Sequence, residues 1–98
     1  MSILLDHPAA PQLVDLPDSF DAINEYFYEQ GWTDGLPIVP PTRARVDKML
    51  AGMAWRDADE LIAIIPPAMG QATLAKIATN CVMAGCRPEY LSVVVAAI

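Results

Sequence analysis

The residues best suited to chemistry lie in the segment Gly85, Cys86, Arg87, Pro88, Glu89, Tyr90. Pro88 fits the first position of a helix, so Cys86 would stand just outside that helix's N-terminus. A thiol placed there meets the positive end of the helix dipole and the neighbouring Arg87, and both favour the thiolate. Cys86 and Arg87 are therefore the candidate catalytic residues, for redox or nucleophilic chemistry at sulfur. The plainer alternative is structural, because free cysteines are among the most buried residues. Cys81 falls on an apolar helical stripe and reads as core on the same ground. Five residues apart on one helix, the two cysteines would point about 140° away from each other.

A second group comprises Asp34, Thr42, Arg43, Gln71 and Thr73. Thr42 and Thr73 lie near expected helix starts, where free backbone N–H groups can hold an anion. These five are the candidate substrate-binding set for a small anionic or polar molecule. Simple N-capping is the competing use of such threonines. Tyr26, Tyr28 and Trp32 lie near a turn and can line a pocket or pack in a core. His7 stands alone and carries no role. No Walker loop, GxGxxG, GxSxG, HExxH or CxxC occurs, which removes the commonest nucleotide, hydrolase and metalloprotease signatures. A Cys-x4-Cys pair with one distant histidine lacks zinc-site spacing, so no metal is expected. The sequence assigns no cofactor.

The elements that must position these residues follow from local pattern. Pro8, Pro11 and Pro17 punctuate residues 1–17, which read as an extended arm. The spacing of Phe20, Ile23 and Phe27 predicts a helix over about 19–30, capped by Asp18 or Ser19 and stopped by Gly31. Residues 36–39 form a short apolar run ended by Pro40 and Pro41. Thr42 then caps a second helix, with Val46, Met49 and Leu50 inward and Gly52 as its stop. A polar connection over 53–60 contains Trp55. Residues 61–65 are the best strand candidate, and Pro66 and Pro67 end it. A third helix is expected over about 71–84, stopped by Gly85, and a fourth from Pro88 with Leu91, Val94, Val95 and Ile98 on one face. The echo of PIVPPT and AIIPPAMGQAT gives two strand–ProPro–helix units, hence a small, helix-rich α/β fold with parallel pairing. Ligands of such sheets collect at the carboxyl ends of the strands, which would align both Pro-Pro loops on one rim. The bland reading is that Pro-Pro merely ends strands and starts helices.

Ninety-eight residues allow one domain at most, here 18–98 as a single α/β domain or part-domain. The chain is 54% hydrophobic and only 18% charged, against about 45–50% and about 25% in typical soluble domains. That is more apolar side chain than a small globule hides easily. The surplus reads as concentrated in the last two helices. Twelve acidic and six scattered basic residues, net −6, argue against nucleic acid and against anionic membranes. No apolar run reaches the roughly 18–20 residues of a membrane span, and the N-terminus lacks the basic region of a signal peptide. A cytoplasmic location is expected.

The stretches TDGLPIVPPTRARV at 33–46 and NCVMAGCRPEY at 80–90, with IIPP between them, resemble two blocks of one bacterial family. Its members are largely uncharacterised and are associated with the UGSC type (selenocysteine or cysteine, Gly, Ser, Cys); no UGSC motif is present here. The resemblance covers about residues 31–98. In the family pattern Cys86 is the regular cysteine, and Cys81 replaces a small apolar residue. Family members continue past the point where this chain stops, which implies that a complete active site needs further polypeptide.

The last helix runs through VVVAAI to Ile98 without a Gly, basic or polar cap. The expectation is a small subunit of a hetero-oligomeric bacterial enzyme, giving one wall of an active site to a larger protein partner and a small-molecule substrate. Thiol-based chemistry and hydrolase or lyase chemistry both remain open. The alternative is a non-catalytic subunit that stabilises a larger catalytic partner.

Overall fold

Local capping chemistry starts each of the first three helices. Ser19 is extended, and its hydroxyl accepts from the Ala22 N–H at 3.3 Å, which opens α1 (Phe20–Glu29). Thr42 does the same for Arg45 at 3.3 Å and opens α2 (Arg43–Leu50). Thr73 accepts from Lys76 at 3.3 Å and opens α3 (Leu74–Met83). A 3-10 turn over Pro88–Tyr90 leads into α4 (Leu91–Ala97), so the last α-helix begins one turn later than Pro88 suggested. The computed structural model describes residues 2–5 and 12–98.

The strands are antiparallel hairpins. β1 (Ser2–Leu5) pairs with β2 (Gln12–Asp15), Ser2 opposite Asp15 and Leu5 opposite Gln12. Two segments of the stretch read as an extended arm thus pair with each other. His7, Pro8 and Pro11 lie outside the described residues. β3 (Leu61–Ile65) is the strand that its β-branched run predicts. It pairs with β4 (Gly70–Thr73), Ile65 opposite Gly70 and Ala63 opposite Ala72, with an irregularity between Leu61 and Ala63.

The result is a small, helix-rich α/β fold, but its internal plan differs from two parallel strand–ProPro–helix units. After Pro66 and Pro67 the chain turns back into β4 rather than into a helix, so Gln71 and Thr73 belong to a strand. The run at 36–39 pairs with no strand among the described residues. Asn24 of α1 takes that place: its amide oxygen accepts from the Ile38 N–H at 2.7 Å, and its NH2 donates to the Ile38 carbonyl at 3.3 Å. The Val39 N–H donates to the Met83 carbonyl at 3.1 Å, which satisfies a group that the end of α3 leaves open.

The core has two parts. The larger gathers Val46 and Met49 of α2, Met53, Ala72 of β4, the inner face of α3 and Leu91 of α4. The smaller is Ile23 and Phe27 of α1, with Leu16, Tyr26, Ile38 and Met83 packed on it. Gly52 does not stop α2. It lies inside a 3-10 turn, Ala51–Met53, that prolongs the helix, and a Cβ there would overlap the Pro88 carbonyl.

Candidate functional site

An open groove of about 860 Å³ lies between the β3–β4 hairpin and helices α3 and α4. Its walls are apolar: Ile65 and Met69 from the hairpin, Ile77 and Cys81 from α3, Val94 from α4 and Ile98 just after it. Gln71, Lys76 and Asn80 contribute the larger polar side chains, and Asn80 already donates to the Lys76 carbonyl at 2.9 Å. The volume is within the roughly 300–1,000 Å³ of small-molecule sites. The rim is greasy as well: Ile65, Met69 and Ile98 line the groove and are about half exposed. Exposed large apolar side chains occur on the hairpin and α4, and also elsewhere, at Phe20, Leu36 and Trp55 among others. Helix α3 buries its share, contrary to the expectation that it carries excess.

The two thiols sit at the C-terminal turn of α3. Gly85 adopts φ +80°, a left-handed conformation in which glycine meets no Cβ penalty. The Cys86 N–H then donates to the Cys81 carbonyl at 2.9 Å, and the Gly85 N–H to the Val82 carbonyl at 3.0 Å. This is the Schellman turn, which folds the second residue after the helix back over its last turn. Helix α1 ends the same way. Gly31 has φ +73°, Trp32 donates to the Phe27 carbonyl at 3.0 Å, and the Trp32 and Phe27 rings meet edge to face at 5.2 Å. In α3 the corresponding side chains are Cys86 and Cys81. They are neighbours, not 140° apart, because the helix ends at Met83 and its rotation cannot be extrapolated to Cys86.

Burial, and then the adjacent Cys86 sulfur, pushes the Cys81 thiol up to about 11. It stays protonated at neutral pH within hydrogen-bonding reach of Cys86. Cys86 is half-buried, faces the groove, and also borders a smaller pocket of about 250 Å³. Arg45 and Lys48 of α2 line that pocket. Their i, i+3 spacing on one helix was visible in sequence, but their meeting with Cys86 depends on how α2 packs against α3.

The remaining candidates do not converge. The Arg87 guanidinium pairs with Glu89 at 3.2 Å in solvent and does not line the groove. Gln71 lines it together with Cys86. Thr73 is engaged as a cap, and the N–H groups of Leu74 and Ala75 donate to the carbonyls of Glu60 and Ala58 at 2.9 and 2.8 Å. The first turn of α3 thus has no donor left for an anion. Thr42 caps α2, Arg43 is exposed on its first turn, and Asp34 accepts from the Leu36 N–H at 3.0 Å within its own loop. Both described strand pairs are antiparallel, so among the described residues there is no shared rim of parallel strand ends. Tyr26 packs on the small core and meets Trp32 edge to face, while Trp32 and Tyr28 are both exposed.

Comparison with protein-family models, with curated proteins and with solved structures gave no match for this chain. No helix among the described residues is long and apolar enough to cross a membrane.

Proposed function

We propose that this chain is the small subunit of a hetero-oligomeric enzyme, and that the groove between the β3–β4 hairpin and α3–α4 is its contribution to a shared active site. The observation that carries the reading is the apolar rim. Ile65, Met69 and Ile98 stand about half exposed around one concavity. Isolated apolar residues on a surface are ordinary, but a contiguous set around a groove marks a surface made for contact. A partner covering that rim would close the groove and leave Cys86, Gln71 and Lys76 facing the enclosed space. The substrate would then be a small molecule with an apolar body and one or two polar groups.

A second reading, a non-catalytic stabilising subunit, is favoured by a different observation. Thr42 and Thr73 are used as helix caps and so serve the fold already, and Arg87 is paired with Glu89 in solvent, away from the groove.

Light scattering and a thermal melt of the chain expressed alone test the subunit reading. It should self-associate, and Ile65→Lys with Met69→Lys should reduce that association. A monodisperse, cooperatively melting wild-type monomer would overturn it. Activity of the assembled complex after Cys86→Ala separates the two readings: loss supports the shared site, and retention leaves the stabilising role.

A further inference from the structure

We propose that Cys81 and Cys86 form a dithiol site in which Cys86 reacts with small disulfides and Cys81 resolves the product, closing a disulfide across the last turn of α3. The inference goes beyond the subunit reading and does not depend on what covers the groove.

Three features of the chain support it. The turn fixes the pair: a 2.9 Å hydrogen bond joins the Cys86 N–H to the Cys81 carbonyl, and Gly85 holds the reversal. The equivalent pair in α1, Trp32 and Phe27, is in direct ring contact, as frequently accompanies this turn, and in α3 the two thiols lie within hydrogen-bonding reach of each other. Both cysteines are free, and they differ in access. Cys81 is 5% exposed in the core, whereas Cys86 opens to the groove and to the pocket lined by Arg45 and Lys48. Those two cations suit a disulfide that carries carboxylates, of which oxidised glutathione is the available probe.

The chemistry balances without further reactants. Cys86, its proton lost to water, attacks one sulfur of R–S–S–R. A bond forms between Cys86 Sγ and that sulfur, the disulfide bond breaks, and the departing R–S⁻ takes a proton from water. Cys81 then loses its proton to solvent and attacks Cys86 Sγ, expelling the second thiolate, which is protonated in turn. Two protein thiols are oxidised by two electrons, and R–S–S–R is reduced to two R–SH. The order of the roles follows from reactivity. With its thiol held at about 11 instead of 9.0, Cys81 has about 100-fold less thiolate at neutral pH than an unperturbed cysteine. It reacts only where a neighbouring sulfur is already activated and close.

Incubating the full chain with oxidised glutathione at mildly alkaline pH, then alkylating and weighing it, tests the site. Wild type should lose two hydrogens, carry no glutathione and resist alkylation at both cysteines. Cys81→Ala should stop with one glutathione on Cys86, and Cys86→Ala should remain unmodified. A wild-type chain that stops at the mixed disulfide, links only to other chains, or does not react overturns the proposal. Alkylation of the untreated chain is the independent measurement. Cys81 should lag Cys86 by at least about tenfold, given the thiolate deficit, and equal rates would refute the division of roles.

Discussion

Gly52 shows how much one hydrogen can carry. Its backbone is not left-handed, so conformational freedom is not what it supplies. It supplies room, because the Pro88 carbonyl occupies the space where a Cβ would project. Gly52→Ala must push the 88–90 turn away from Ala51–Met53, and overpacking of this kind typically costs about 1–3 kcal/mol. A urea melt should show that loss, and an unchanged midpoint would mean the two turns separate freely. Cys81 gives a pH-dependent prediction. Its thiol titrates at about 11 in the folded chain against an ordinary 9.0. The unfolded chain therefore releases this proton first as pH rises, and folding stability falls with pH over that interval. The contribution is complete below about 9 and is lost as pH passes through about 11. Urea midpoints measured across this range should decline in wild type, and Cys81→Ala should decline less. Equal slopes would remove Cys81 as the cause.

At the scale of elements, what could be read from sequence is what neighbours decide. Ser19, Thr42, Gly31 and Gly85 act within a turn of their own position, so they place helix ends correctly. The run over Leu61–Ile65 is strand because its own residues suit a pleated surface. β4 is different. Gln71, Ala72 and Thr73 have no strong strand preference and lie just ahead of a helical stripe, and only pairing with β3 makes them strand. The site suffered most from this limit. Its groove exists because that hairpin stands against α3 and α4, and the two thiols meet because α3 stops short of Cys86. Residues 36–39 differ for the opposite reason: their pattern suits a strand, but a side-chain amide replaces the neighbouring strand. Asn24→Ala removes both partners of Ile38, and leaving such part-buried groups unpaired costs about 1–3 kcal/mol. A thermal melt should register that loss, whereas Asn24→Ala at wild-type stability would show that water replaces the amide fully.

At the scale of the whole molecule, the two core clusters are unequal. Among the described residues the larger draws its buried side chains from helices, turn and strand, and the smaller rests on Ile23 and Phe27. Regions with few buried apolar contacts open at lower free energy than the main core. Native-state hydrogen exchange should therefore find α1 opening more readily than α3, and uniform protection across both would contradict a divided core. The boundary between the two exchanging units falls inside one dipeptide. Ile38 packs on the small cluster and gives its amide proton to Asn24 of α1, while Val39 packs on the large one and gives its proton to Met83 of α3. Two successive amides thus report on two different openings. The Ile38 amide should exchange with α1 and the Val39 amide with α3, so that a single peptide unit marks the seam along which this small chain comes apart.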